Sequence, residues 1–390
     1  MKETWRWYGE KLDTITLQDI RQTGASGIVT ALHEIPYGAV WTRDAIAARR
    51  GRIEAGGMDW TVCESLPLHE DIKRGSGHLA ELFANYRQSM ANLAAEGVVT
   101  ICYNFMPILD WTRTDLAAPV AGGGNCLRFE ATKMAAFEIH MLERDGAEKD
   151  YPDGVLEKAR VWFEGASEAD RGTLLGAIMA GMPGAFDRFD IPGMRRVLAK
   201  YNGLTSDDIR SNFKRFLDEV VPTAEELGIR MCVHPDDPPR DILGLPRVVS
   251  NADDINWIMS AYDASANGLT LCSGSLGAGA DNDVPAIARR QASRIHFAHL
   301  RNVRKNPDGS FEEAAHLEGD TNMVAVCRVL LDEENRRRAN GRSDATIPFR
   351  PDHGHVILPD IEKGNVPGYP LIGRLRGLAE MRGVIHGLEN

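Results

Sequence analysis

A chain of 390 residues, 43% hydrophobic and 26% charged, has the composition of a globular protein with material for a large core. Acidic residues outnumber basic ones 56 to 45, a net charge of −11, which argues against nucleic acid or an anionic membrane surface as the main partner. The six cysteines are scattered with no CxxC pair, and neither a signal-like apolar region nor a membrane-length apolar run occurs, so a cytoplasmic enzyme is expected.

In chain order, Thr4–Tyr8 alternates and is aromatic, a first strand. Thr16 stands where a helix N-cap would, before Leu17. Gly27–Leu32 reads as a second strand, running into His33. Helical material from Thr42 to Ala55 leads to a third, Trp60–Glu64, and a helix from His78 to Ala95 leads to a fourth, Val98–Asn104. Four further apolar runs close the chain: Ile229–His234, Leu269–Cys272, Ile295–His299 and Ile347–Asp352. Eight strands alternating with helices, without an obvious hairpin, predict an α/β fold: a (β/α)₈ TIM barrel as a single domain over residues 1–390. About 125 residues separate the fourth and fifth strands, where a crossover needs a dozen or so. Residues 105–225 are therefore expected to form a helical insertion after the fourth strand, a lid or subunit contact. Within it Gly154–Trp162 and Ser206–Leu227 read as helical, with a break at Pro222, and Ala121–Gly124 as a flexible segment. An insertion of this size favours a homo-oligomer.

The last four runs end in His234, Cys272, His299 and Asp352, separated by 38, 27 and 53 residues. Such spacing suits strand–helix–strand units, with the last enlarged, and the C-terminal ends of barrel strands are where such folds keep their chemistry. Alternation tests the set: Ile295, Phe297 and His299 share one face, so His296 points outward and drops out. Two imidazoles, a thiolate and a carboxylate suit Zn²⁺ or Fe²⁺ by softness, with the carboxylate admitting Mn²⁺. The Gly-rich Ser273–Gly279 lacks the Lys-Ser/Thr of a phosphate loop, and no Gly-x-Ser-x-Gly elbow occurs.

The stretches Thr4–Gly9, Val29–His33, Glu64-Ser65, His69–Lys73, Tyr103–Pro107, Asp110–Asp115, Val233–Arg240, Ala280–Asp283, Ala314–Leu317, Arg350–His355 and Pro367–Tyr369 resemble mannonate dehydratases of the xylose-isomerase-like barrel type. The resemblance runs nearly end to end, departing at Glu34 and Gly279, where the family usually shows His and Arg. It implies dehydration of D-mannonate to 2-keto-3-deoxy-D-gluconate in hexuronate breakdown. It also implies a divalent Mn²⁺ or Fe²⁺ held by His234, Cys272, His299 and Asp352. Tyr369 and His353 are the expected proton-transfer pair, either one taking the C2 proton and the other protonating the departing C3 hydroxyl. Arg301, Arg113, His355 and Asn104 are the expected substrate-binding residues. Three alternatives stand beside this reading: a metal-dependent sugar or uronate isomerase, a dehydratase of another aldonate, and a catalytically inactive ligand-binding barrel.

Overall fold

The structure is a computed structural model and describes residues 1–181 and 189–389. Its strands, in chain order, are β1 (Lys2–Arg6), β2 (Gly27–Thr30), β3 (Asp59–Glu64), β4 (Thr100–Tyr103), β5 (Asp115–Pro119), β6 (Asn125–Phe129), β7 (Arg230–Val233), β8 (Asn267–Cys272), β9 (Ile295–Leu300), β10 (Asn302–Lys305), β11 (Phe311–Ala314) and β12 (Pro348–Pro351). Eight of them close a barrel in the order β1-β12-β9-β8-β7-β4-β3-β2, all neighbours parallel. These are the eight expected strands. Each is four to six residues long and flanked by helices with ordinary caps. Thr16 and Thr42 start two of these, each side chain accepting a backbone N–H in the first turn. Among the described residues no helix is long and apolar enough to cross a membrane.

Inside the barrel, Val29, Val62, Cys102, Cys232 and Phe297 pack into one closed layer. Strand alternation lifts the next inward residue of each strand above this floor. Cys272 pairs in register with His299, and His299 with Arg350, so three strands deliver polar side chains at one height. His296 points outward as expected, its Nε2 2.8 Å from the Ser265 carbonyl.

Three expectations fail. First, the chain does contain hairpins: β5, β6, β10 and β11 form a four-stranded antiparallel sheet in the order β10-β11-β6-β5. It joins the insertion after β4 to the excursion after β9, which accounts for the enlarged last unit. The insertion is therefore mixed, with two strands before its helices, and its residues 182–188 lie outside the described residues. Second, Ala121–Gly124 is no loose linker but the hairpin turn between β5 and β6. The Val120 N–H donates to Gly124 O (3.2 Å), and Gly122, Gly123 and Gly124 all adopt φ near +90°, which side-chain-bearing residues resist. Third, Pro222 does not break its helix. Ser206–Glu226 is continuous, because Phe213, Phe216, Leu217, Val220, Val221 and Ala224 bury one face on both sides of the proline. That burial outweighs the one missing N–H.

Close packing at Gly268 sets the start of β8. A Cβ there would lie 2.3 Å from the His296 ring and 2.4 Å from the Arg294 carbonyl. Gly268→Ala is expected to cost about 1–3 kcal/mol by overpacking, read as a lower urea midpoint. An unchanged midpoint would show that the two strands move apart at no cost.

Candidate metal centre and acid–base site

His234 follows β7, and its Nδ1 lies 2.6 Å from the carbonyl oxygen of Pro235, so Nδ1–H donates there and Nε2 is left as a lone pair. His299 sits inside β9 with Nε2 3.3 Å from Glu64 Oε2 and Nδ1 3.4 Å from Arg350 Nη2, whose N–H can only donate, so Nδ1 is the lone pair. These two unprotonated nitrogens face each other at 3.1 Å. Two lone pairs so placed repel unless a cation lies between them. His234 spends its other nitrogen on a carbonyl, as metal-ligating histidines do, and His299 turns its own toward Glu64. Cys272 ends β8, and its sulfur receives the Ser275 N–H (3.4 Å) and hydroxyl (3.1 Å). The ligand atoms of His234, Cys272 and His299 all lie within 4.8 Å of one another. Asp352 follows β12, with Oδ2 3.6 Å from Cys272 Sγ and 3.9 Å from His299 Nδ1. The donors therefore fit a divalent ion in number, charge and softness.

Around them runs a buried lattice of alternating charge. Arg350 binds Glu64 through Nη2 (2.8 Å) and Nε (3.0 Å), and Asp352 Oδ1 through Nη1 (2.5 Å). Arg301 reaches Asp352 Oδ2 (3.1 Å) and Asp237 Oδ2 (2.9 Å). Arg113 forks onto Asp237 (2.7 and 3.1 Å) and onto Glu313 Oε1 (2.9 Å). Glu313 closes the run on His353 Nδ1 at 2.9 Å. Burial raises the carboxyl pKa values, but the cations win. Arg350 with His353 and His299 holds Asp352 well below the usual range, and Arg301, His353 and Arg113 bring Glu313 to about 2.

A cavity of about 450 Å³ opens above the donors, bordered by Arg6, Tyr8, Asn104, Arg301, His353 and Tyr369 among others. The His353 and Tyr369 rings meet edge to face at 5.0 Å, and Tyr369 meets Tyr8 likewise at 5.0 Å. Burial lifts the Tyr369 phenol well above its ordinary pKa, Tyr8 and Asp352 adding to it against Arg350 and Arg6. Of the expected substrate-binding residues, Arg301 and Asn104 line this cavity. Arg113 is wholly buried behind it, holding Asp237 and Glu313. His355 turns away, its Nε2 2.9 Å from the Glu313 carbonyl.

Sequence reading passed over Arg6, Tyr8, Glu64, Glu313 and Arg350 as site residues. For Arg6 and Glu64 the signal was present: alternation puts Thr4, Arg6 and Tyr8 on one face of β1, and Val62 and Glu64 on one face of β3. Applied to the first strands, the test used on the last four finds both. Glu313 carried no such signal, because its strand belongs to the unexpected sheet.

Over residues 1–390 the chain matches the family described as "D-mannonate dehydratase (UxuA)". It is 53% identical over 385 residues to a mannonate dehydratase of Chromohalobacter salexigens, covering 98% of each chain. It is 51% identical over 391 residues to one of Marinomonas sp., covering all of both. The crystal structure of mannonate dehydratase from Streptococcus suis serotype 2 superposes with a TM-score of 0.75 at 33% identity, covering 100% of this chain and 93% of that one.

The depressed Glu313 carboxyl makes a prediction about acid. A carboxylate whose folded pKa lies below its unfolded one stabilises the protein above the unfolded value, and that stability is lost as pH falls. With Glu313 at about 2, its contribution should fade between about pH 4.5 and about pH 2. Glu313→Gln is expected to destabilise the protein at pH 7 by about 3–5 kcal/mol by leaving buried Arg113 and Arg301 short of a partner, and to flatten the melting temperature across that window. An acid profile identical to the parent's would refute the assignment.

Proposed function

The chain belongs to the D-mannonate dehydratase family, and from that premise we propose how its own residues carry out the reaction. The enzyme is a hydro-lyase that removes water from D-mannonate to give 2-keto-3-deoxy-D-gluconate. His234, Cys272, His299 and Asp352 hold a divalent ion, Mn²⁺ or Fe²⁺, with Zn²⁺ also compatible with the donors. When bound, the ion neutralises charge at the substrate carboxylate and C2 hydroxyl. The observation that carries the reading is the convergence of these donors beneath the His353–Tyr369 pair.

The difficulty of the reaction is electrostatic. The substrate is already an anion, and removing the C2 proton develops a second negative charge beside the first. Arg6, Arg301 and Arg350 border the cavity where that charge grows, and the Arg6 Nε has no hydrogen-bond partner in the protein. They are fixed in advance by the carboxylates behind them, so little reorganisation accompanies the step. His353 donates Nδ1–H to Glu313, which leaves Nε2 as the lone pair that takes the C2 proton. Tyr369, buried and retaining its proton, delivers it to the departing C3 hydroxyl. The resulting enol tautomerises to the keto acid.

An isomerase reading expects a carboxylate-rich site for two ions. Among the described residues a single group of candidate ligands is found, His234, Cys272 and His299, and it contains a thiol rather than carboxylates. Six buried, unpaired cysteines also suit a reducing compartment, and we place the enzyme in the cytoplasm as a homo-oligomer.

Metal-stripped protein should recover 2-keto-acid formation from D-mannonate when Mn²⁺ or Fe²⁺ is restored; no turnover with Mn²⁺, Fe²⁺, Zn²⁺ or Mg²⁺ would end the proposal. Tyr369→Phe is expected to keep its metal and lose about 10²–10⁴-fold in kcat, whereas Cys272→Ser should lose metal first. Wild-type kcat in the Phe variant would remove Tyr369 from the mechanism.

A further inference from the structure

A second cavity, about 490 Å³, adjoins the first and is absent from the reaction as described above. It lies over the loops that follow β2, β3 and β4. Arg6, Ser65, Asn104 and Asp110 line both cavities, so the two meet along these side chains. Their linings differ in kind. The chamber above the donors is walled by charge, with Arg301, Arg350, Glu64, Asp237 and Asp352. The second has apolar walls and mainly neutral polar groups, His33 and Tyr37 among them, with Arg6, Lys73 and Asp110 as its charged members.

His33 is the informative residue. Its ring leans against Tyr8 at 5.3 Å, and its Nε2 is buried without a hydrogen-bond partner. A buried polar atom left unpaired is costly, and the cost is removed when a ligand supplies the partner. Burial, reinforced by Arg6 and Arg49, keeps this imidazole well below its ordinary pKa and therefore neutral. A neutral imidazole at a cavity wall is suited to a hydroxyl and poorly suited to an anion.

We propose that the second chamber is a polyol subsite: it takes the uncharged hydroxyl-bearing tail of the aldonate, C4 to C6, with His33 Nε2 as a fixed hydrogen-bonding group. The carboxylate and the reacting C2 and C3 stay in the charged chamber. This assignment rests on the aldonate dehydratase reading and adds to it the residues that sense the part of the substrate remote from the chemistry. His33 is thus a specificity residue, contacting substrate away from the reacting atoms.

The test compares D-mannonate with D-glycerate, which has the carboxylate and the C2 and C3 hydroxyls but no tail. In His33→Ala the KM for D-mannonate should rise about tenfold with kcat little changed, the signature of lost uniform binding. The inhibition constant of D-glycerate should stay at its wild-type value. His33→Gln, which restores a hydrogen-bonding group, should recover part of the KM. An unchanged KM in His33→Ala, or a glycerate affinity that falls in step with it, overturns the subsite. Should glycerate compete with neither protein, the KM ratio decides alone. Absence of D-mannonate turnover in the wild-type holoenzyme is a separate result: it removes the dehydratase reading, and the subsite with it.

Discussion

Four carboxylates and four guanidiniums buried at one end of the barrel form the constraint on which the site depends. Glu64, Asp352, Asp237 and Glu313 alternate with Arg6, Arg350, Arg301 and Arg113 in a run of contacts from 2.5 to 3.5 Å. Desolvating any one of these charges alone would be prohibitive, and removal of a single member strands its neighbours. In return, each guanidinium has its direction set by the carboxylates behind it. Arginines that border the cavity are therefore already in place, and the Asp352 carboxyl stays ionised beside the imidazoles and the Cys272 sulfur. The lattice also reaches the His353 ring, whose Nδ1 lies 2.9 Å from Glu313 Oε1 and 3.1 Å from Arg301 Nη1.

The barrel and the strand ends that carry its candidate metal donors could be read from the chain because both follow from short-range rules. Parallel strands buried on both faces show as compact apolar runs, and alternation says which side chains point inward. His234, Cys272 and His299 emerged that way, and the structure gathers them within 4.8 Å. Arg6 and Glu64 obey the same rule and were within reach of it. Glu313 was not, since a four-residue strand with alternating exposure has almost no signature of its own. One local cue was present, Asp308-Gly309 between β10 and β11, where the Asn306 N–H reaches Ser310 O at 2.8 Å and Gly309 takes a positive φ. Arg113 and His355 show the opposite error. A polar residue near a ligand motif suggests contact with substrate, yet Arg113 is wholly buried as a strut behind the wall and half-buried His355 is turned onto the Glu313 carbonyl.

Charge separates the cavity system into two kinds of space. Next to the donors the walls are ionic. Around His33 apolar and neutral polar groups predominate, with Arg6, Lys73 and Asp110 among them and Arg6 and Arg49 close enough to depress the imidazole pKa. A sugar acid has the same division along its length, an anionic head and a hydroxylated tail, and the protein's polarity follows that gradient.

The sheet at the rim has a consequence for how the chain reaches its working form. Arg113 and Glu313 touch across 200 positions of sequence, and the sheet that seats Glu313 pairs β11 with β6, from an excursion far earlier in the chain. Loop closure over such a span is slow and comes after local helix and strand pairing. A nascent chain still lacking β11 would have no seat for Glu313. Completion of the buried lattice is thus coupled to completion of synthesis, and insertions or deletions in either excursion are constrained by the geometry of the other.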